Sequence, residues 1–167
     1  MPTFFDQMVY NGFMEGVQHS IGSYLGEPLG TLKASVSVNT ENPYAAGGIL
    51  RFQCADVEAS MILVFEKEFA LKLYGNMIGD APATIDADVE DCICELTNIV
   101  YGYAKANLTK VGYKFSMARP EIVRDLNGVL ADQVKLEMPF RFMIAQQKQM
   151  ALMFIVHKHT PLEAAAS

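Results

Sequence analysis

The sequence predicts an α+β fold of two layers. One layer is a mixed or antiparallel sheet of about six strands, and the other consists of two long helices on one face of that sheet. Two long segments have apolar residues at helical spacing, and each is followed by shorter segments with strand-like patterns. A helix-then-strands unit therefore occurs twice, which is typical of helices packed on one side of a sheet.

Length and composition indicate one domain, predicted over residues 1–160, with a short C-terminal tail at 161–167. Apolar residues make up 51% of the 167 residues and charged residues 19%, as in a globular chain with a core. The net charge of -6 argues against a nucleic-acid partner, which would require a basic surface. No apolar run is long enough to span a membrane, and the first residues do not resemble a secretory signal. The predicted location is therefore the cytoplasm, without membrane association.

The first half of the chain is predicted to contain one long helix, three strands and one short helix. Phe5 and Met8 begin an apolar face with helical period that is predicted to be buried, and Gly26 ends that helix. Gly47 and Gly48 are expected to form the turn that leads into the second strand. The predicted ranges are 4–26 for the long helix, 32–38, 49–55 and 59–65 for the strands, 39–48 for a loop and 66–77 for the short helix.

The second half is predicted to contain a second long helix followed by three strands. Asp86 and Asp88 suit the first turn of this helix, where carboxylates meet free N–H groups. The dipeptide Asn127-Gly128 is a turn signal between strands. The predicted ranges are 86–108 for the helix and 113–118, 130–144 and 150–157 for the strands.

The helix predicted over 86–108 carries a narrow polar stripe opposite its apolar face. Four residues fall within about 60° of one another around the helix axis, because they are separated by four, three and four positions. They are Asp91, Glu95, Asn98 and Gly102. Asparagine and glycine are poor helix formers, and a glycine leaves room for another backbone to approach closely. A merely solvated helix face is the alternative interpretation of the same spacing.

The stripe and its flanking segments resemble the CheC/CheX/FliY family of chemotaxis phosphatases. Asp91, Glu95 and Asn98 match the family signature of Asp or Ser, three residues, Glu, two residues and Asn. Over about residues 13–157 the resemblance implies the family's fold, in which a pseudo-two-fold axis relates the two long helices. The segments that follow the order of CheX proteins are Gly47-Gly48-Ile49, residues 58–65, Ala70 to Leu73, Met77 to Gly79, Pro120 and Val123.

The resemblance implies that the protein hydrolyses the aspartyl phosphate of a CheY-type response regulator. Asn98 would orient the attacking water, and Glu95 would form an ion pair with the active-site lysine of the regulator. Asp91 would contribute to docking, and Gly102 would allow the two backbones to approach. The phosphorylated regulator would supply Mg²⁺, so no cofactor of the chain's own is expected. A homodimer that forms through sheet edges is implied as well.

The first predicted helix repeats the stripe at a constant offset of 80 residues. The corresponding residues are Asn11, Glu15, Gln18 and Gly22. Only the glutamate and the glycine are identical between the two stripes, and Gln18 stands where the second helix has asparagine. Glu15 and Gln18 are therefore predicted to form a degenerate second site. Chance similarity between two polar helix faces is the alternative explanation.

The histidines and cysteines are weaker candidates for functional sites. His157 and His159 would point to one side of a strand as a candidate metal pair, but no third ligand is evident and no metal site is predicted. The odd number of cysteines argues against a disulfide framework, and Cys54, Cys92 and Cys94 are predicted to be buried structural thiols. Two other functions stay open. One is a non-catalytic response-regulator or flagellar-switch binding module, and the other is a structural homodimer.

Overall fold

The structure is a computed structural model that describes residues 3–35, 44–134 and 140–160, with the backbone alone for 34–35, 132–134 and 140–146. The predicted tail at 161–167 and the end of the first predicted strand, residues 36–38, lie outside the described residues. In chain order the elements are α1 Gln7–Leu25, β1 Lys33–Ser35, β2 Tyr44–Cys54, β3 Val57–Glu66, α2 Lys67–Ile78, α3 Ala87–Thr109, β4 Glu121–Val123, α4 Leu126–Val134, β5 Phe140–Gln146 and β6 Met150–His159.

The strands form one sheet in the order β1-β5-β6-β3-β2-β4. All the strand pairs recorded among the described residues are antiparallel, so the predicted α+β class is confirmed and the antiparallel form of the sheet is the one observed. A two-residue turn at Ala55 and Asp56 joins β2 to β3. Ala55 has a φ of 49°, in the left-handed region that two-residue hairpins use.

The sheet buries side chains on both faces. Met61, Leu63 and Phe65 of β3 join the core that contains the buried residues of α1, α2 and α3. Ile62 and Val64 join a second core on the other face, together with Leu130 of α4. Successive side chains of a strand point to opposite faces, so β3 contributes to both cores. Both long helices lie on the first face. None of the described helices combines the length and apolarity needed to cross a membrane.

Two glycines of α1 allow the two long helices to pack closely. A Cβ at Gly12 would lie 2.9 Å from Cγ of Leu108, and a Cβ at Gly16 would lie 3.0 Å from the carbonyl oxygen of Val100. The later residue of α1 faces the earlier residue of α3, so the two helices run antiparallel. Side chains at these positions would force the helices apart.

Gly47 and Gly48 lie inside β2 and do not form the predicted turn. A Cβ at Gly48 would collide with the hydroxyl of Thr97 on α3. A Cβ at Gly47 would collide with the carbonyl oxygen of Leu63 on the neighbouring strand. The two glycines therefore permit close approach within a strand, and β2 begins at Tyr44, earlier than predicted.

The helix α1 begins three residues later than predicted, with Asp6 as its N-cap. The carboxylate of Asp6 accepts a hydrogen bond from the backbone N–H of Met8 at 2.8 Å. Phe5 and Met8, predicted to be buried, are 36% and 47% exposed, whereas Phe4 is 1% exposed. The backbone N–H of Phe4 donates to Asp56 at 2.9 Å, which places Phe4 in the core before the helix starts.

The segment that follows α3 forms less strand than predicted. Residues 113–118, predicted to be a strand, contribute only an isolated bridge between Phe115 and Cys54. The strand β4 lies after Pro120, at Glu121–Val123, and pairs with β2.

Residues 126–134 form the helix α4, so the predicted turn at Asn127-Gly128 and the start of the predicted strand at 130–144 are wrong. The carboxylate of Asp125 accepts a hydrogen bond from the backbone N–H of Gly128 at 3.1 Å. The carbonyl oxygen of Asp125 accepts another from the N–H of Val129 at 3.2 Å. Asp125 thus satisfies free N–H groups at the start of a helix, and this favours the helix over the turn. The strand β5 begins only at Phe140.

Candidate functional site

The polar stripe lies on α3, which is fixed at its first turn and along its apolar face. The carboxylate of Asp86 accepts a hydrogen bond from the backbone N–H of Val89 at 3.0 Å, as an N-cap does. The guanidinium of Arg124 donates to both carboxylate oxygens of Glu90, at 2.6 and 3.0 Å, and links α3 to the segment after β4. The helix face opposite the stripe is buried against the sheet and α1.

All four residues of the predicted stripe are exposed on this helix. They are Asp91, Glu95, Asn98 and Gly102. The side chains of Asp91, Glu95 and Asn98 form no hydrogen bond or ion pair with another described residue. The structure therefore brings two carboxylates and one carboxamide together on a single surface and leaves their polar atoms accessible to a partner.

Gly102 differs from the packing glycines of α1. A Cβ at this position would have no neighbour within 4 Å, whereas Cβ atoms at Gly12 and Gly16 would press against α3. A glycine costs about 1 kcal/mol relative to alanine inside a helix, and the described contacts of Gly102 do not explain that cost. The bare backbone there leaves open space beside Asn98.

The weaker stripe on α1 is also at the surface. Asn11, Glu15 and Gln18 are exposed, and Gly22 is half-buried. Gln18 and Gly22 line a shallow depression that also includes Ser23 and Glu27 at the C-terminal end of the helix.

The residues that flank the two stripes differ. His19, beside Gln18, stacks on Tyr103 of α3, with ring centroids 4.4 Å apart and planes inclined by 21°. The next residue, Ser20, is buried, and its hydroxyl has no hydrogen-bond partner within the part of the chain that is described. At the same offset of 80, α3 has the apolar Ile99 and Val100. The surroundings of Gln18 and of Asn98 are therefore not equivalent.

The two histidines of β6 do not share a site. The ring of His157 forms a hydrogen bond with the Ser60 hydroxyl at 2.7 Å, and the ring of His159 forms one with the Asp56 carboxylate at 2.8 Å. The pairing of β3 with β6 shifts register here, and His157 is the extra residue. Such a bulge reverses the alternation of side chains, so the prediction that both rings lie on one side is wrong. The described residues contain no group of three metal-ligating side chains suited to a metal ion.

The cysteines are poor candidates for reactive thiols. Cys54 and Cys92 are buried, as predicted, while Cys94 is half-buried. Burial, with a contribution from the negative charge of Asp56, raises the pKa of the Cys54 thiol to about 12. Burial and the nearby carboxylate of Glu95 raise the pKa of Cys92 as well. All three thiols are therefore protonated near neutral pH, because the pKa of Cys94 is also raised by its burial.

The stripe can position a small molecule, and none of its four residues carries a hydroxyl, thiol or amine. A carboxamide donates and accepts hydrogen bonds without titrating, so Asn98 can hold a water molecule over a wide pH range. The two carboxylates at the N-terminal end of the stripe favour a cationic group on whatever binds there. A water held by Asn98 can therefore act on an electrophile that a bound partner brings to this surface.

Comparison with known proteins gives a match to a family model. The model described as "Chemotaxis phosphatase CheX" matches residues 51–141, which is more than half of the 167-residue chain. The matched span contains α3 with its whole stripe and excludes α1. No curated protein sequence gives a significant match.

Solved structures of chemotaxis proteins share the fold. A CheC-like superfamily protein from Shewanella sp. PV-4 is 22% identical, with a TM-score of 0.73 over 91% of this chain and 98% of that one. The chemotaxis protein CheX from Vibrio vulnificus is 21% identical, with a TM-score of 0.68 over 90% and 99%. A chain of the CheX–CheY–BeF3–Mg+2 complex from Borrelia burgdorferi is 15% identical, with a TM-score of 0.60 over 87% and 95%.

Proposed function

The chain belongs to the CheX family, and from this premise we propose that it is a phosphatase that acts on the aspartyl phosphate of a CheY-type response regulator. The observation that carries the proposal is the surface of α3. There the carboxamide of Asn98 lies one helical turn from the carboxylate of Glu95, and both side chains are exposed. A relative within the same fold occurs in a complex with CheY, Mg²⁺ and a beryllium fluoride group, which supports a regulator as the partner.

In this proposal Asn98 positions the water that attacks the phosphoryl group. Its amide oxygen accepts a hydrogen bond from the water, whose oxygen attacks phosphorus in line with the bond to the aspartyl oxygen. The products are inorganic phosphate and the free aspartate of the regulator. The regulator supplies the phosphoryl group and Mg²⁺, so the chain needs no cofactor of its own. Positioning alone gives a large rate increase, because phosphoryl transfer passes through a loose transition state.

Glu95 and Asp91 contribute to docking. Glu95 forms an ion pair with the active-site lysine of the regulator, and this contact sets the position of Asn98 above the phosphoryl group. Partial exclusion of water strengthens such a pair relative to an exposed surface pair. Asp91, one turn further toward the N-terminus of α3, adds negative charge at the rim. Gly102 allows the backbone of the regulator to approach the helix.

The proposal treats α1 and α3 as a pseudo-two-fold pair with one working site. The offset of 80 residues between the stripes and the antiparallel packing of the helices support this relation. Glu15 and Gln18 form the degenerate copy. Homodimerisation through sheet edges belongs to the proposal as well, and sedimentation of the purified protein tests it. The cytoplasmic location follows from the partner, since response regulators are phosphorylated in the cytoplasm.

The decisive experiment measures the lifetime of a phosphorylated receiver domain from the same organism, with and without this protein. We expect phosphate release to accelerate in proportion to the protein concentration. Binding to a receiver that carries beryllium fluoride is measured in parallel. Binding without acceleration would indicate a non-catalytic binding module. Absence of both would favour a structural homodimer whose stripe is only solvated.

A further inference from the structure

The polar stripe of α3 continues past Gly102 to a lysine. Lys105 follows Asn98 by seven residues, so it lies within about 20° of Asn98 around the helix axis and about 10 Å further along it. The bare backbone of Gly102 separates the two side chains. The stripe therefore has carboxylates at one end, a carboxamide in the middle and a cation at the other end.

Lys105 differs from the other cationic side chains of the protein. Among the lysines and arginines whose side chains are described, it alone is half-buried, and the rest are exposed. Three of those others have a glutamate partner within 4 Å. The pairs are Arg51 with Glu58, Lys72 with Glu27 and Arg124 with Glu90. Lys105 has no carboxylate partner among the described residues, and its half-burial fixes the stem that carries the charge.

The ammonium of Lys105 is directed to one flank of the stripe. Its Nζ lies 3.5 Å from the carbonyl oxygen of Ser116, in the segment that follows α3. The hydroxyl of the buried Tyr101 donates to the same carbonyl at 2.6 Å and fixes it in place. A carbonyl leaves the positive charge of the lysine uncompensated. The side chain is thus held at the flank of the stripe against the segment after α3, with its charge available to a partner.

We propose that Lys105 is a docking residue that binds an acidic side chain on the surface of the phosphorylated receiver domain. This inference rests on the proposed function. A partner whose lysine pairs with Glu95 and whose carboxylate pairs with Lys105 can bind α3 in one direction only. That direction places its phosphoryl group at Asn98. Lys105 lies about 10 Å from Asn98 along the helix and is turned toward Ser116, so its charge reaches the surface around the phosphoryl group and not the group itself.

The test compares Lys105→Met and Lys105→Arg with a matched control, Lys110→Met. Methionine keeps the packing of the aliphatic stem and removes the charge, while arginine keeps the charge. Lys110 is an exposed lysine at the end of the same helix and lies off the stripe. We expect Lys105→Met to raise KM for the phosphorylated receiver about fivefold, with kcat nearly unchanged and a weaker dependence of KM on salt. Lys105→Arg and Lys110→Met should resemble the wild type.

Two results would overturn the inference while leaving the phosphatase in place. One is an unchanged KM and kcat for Lys105→Met, and the other is a loss in kcat with an unchanged KM, which would assign the lysine to the reacting group. Binding of each variant to a receiver that carries beryllium fluoride gives the same comparison without turnover. If the wild type neither binds nor dephosphorylates the receiver, it is the proposed function that fails. Thermal unfolding of each variant verifies that the fold is retained.

Discussion

At the scale of single residues, Asn98 is the side chain on which the proposed chemistry depends. Replacing it by alanine should slow receiver dephosphorylation about 100-fold, the typical cost of removing one positioned polar group from a preorganised site. The fold and the affinity for the receiver should persist, because Asn98 is exposed and holds no hydrogen bond with the described part of the chain. Phosphate release from the labelled receiver measures the effect.

The matched control for this variant is Asn107→Ala. Asn107 is the same residue type on the same helix, about 180° from Asn98 around the axis. Equal losses in Asn98→Ala and Asn107→Ala would mean that an altered helix, and not a missing carboxamide, causes the defect. Full activity in Asn98→Ala would rule out the water-orienting role.

Glu95 is expected to act on binding more than on the chemical step. A change of Glu95 to lysine places like charges together at the proposed contact and should weaken binding to the phosphorylated receiver by about tenfold or more. Binding by the wild type should also weaken as salt is added, because screening acts on this ion pair. Titration with a receiver that carries beryllium fluoride, at low and high salt, measures both effects.

Glu68→Lys makes the same change of charge on α2, where Glu68 is exposed and lies away from the stripe. It controls for the effect of net charge on a chain that carries -6. If the variants at Glu95 and Glu68 bind equally well, the role of Glu95 in docking has to be abandoned.

At the scale of elements, prediction from sequence was accurate where one local signal was long and consistent. The bounds of α3 were predicted to within one residue, because its apolar period covers six turns and Asp86 caps it. The helix α4 was missed because it is short, and the dipeptide Asn127-Gly128 within it favours a turn in isolation. The capping hydrogen bond from Gly128 to Asp125 reverses that preference.

At the candidate site, too, local spacing was predictable from sequence and long-range contacts were not. The spacing of the stripe determines that its residues share one face of a helix, and the structure places them there, exposed. Lys105 was not singled out, because a lysine near the end of a helix is ordinary in sequence. Its half-burial and its contact with Ser116 depend on the path of the chain after α3. The reversal of His157 likewise depends on a bulge in strand pairing that leaves no local signal.

The comparison of the two long helices makes a further prediction. Gln18→Ala should leave dephosphorylation within about twofold of the wild type, whereas Asn98→Ala should remove most of it. Gln18 has one more methylene than Asn98, and a site that must hold a water to within about 0.5 Å tolerates that change poorly. The stacking of the exposed His19 on Tyr103 and the buried Ser20 also give the two stripes different flanks.

Both variants should be assayed side by side with one phosphorylated receiver. A loss in Gln18→Ala comparable to the loss in Asn98→Ala would show that both helices are active and that the single-site assignment is wrong.

At the scale of the whole molecule, the turn between β2 and β3 holds both terminal segments in place. The buried carboxylate of Asp56 accepts hydrogen bonds from the hydroxyl of Thr3 at 2.6 Å and from the backbone N–H of Phe4 at 2.9 Å, and it pairs with the ring of His159 at 2.8 Å. These contacts join residues 52 to 103 positions apart in the chain. These contacts leave no periodicity or local motif in the sequence, so this network could not be predicted from it.

The charge of Asp56 makes this network sensitive to pH. Burial alone would raise the pKa of its carboxyl, but the hydrogen bonds from Thr3, Phe4 and His159 favour the ionised form and lower the pKa below the ordinary value of 3.8. In the unfolded chain the carboxyl binds a proton more readily. Its contribution to stability is therefore complete above the ordinary value and is lost as pH falls through the lower value of the folded state.

Replacing Asp56 by asparagine should lower the free energy of unfolding near pH 7 by about 2 kcal/mol, because a buried backbone N–H and two partly buried side-chain donors lose a charged acceptor. Urea unfolding of wild type and variant between pH 7 and about pH 2 measures the difference. The difference in unfolding free energy should be largest above the ordinary carboxyl pKa. It should decrease as pH falls, since protonation removes the same charge from the wild type. Asp80→Asn, an exposed carboxylate outside any described hydrogen bond, should show no such difference. A difference that stays constant down to the lowest pH would mean that the acceptor oxygen missing from asparagine, and not the missing charge, destabilises the variant.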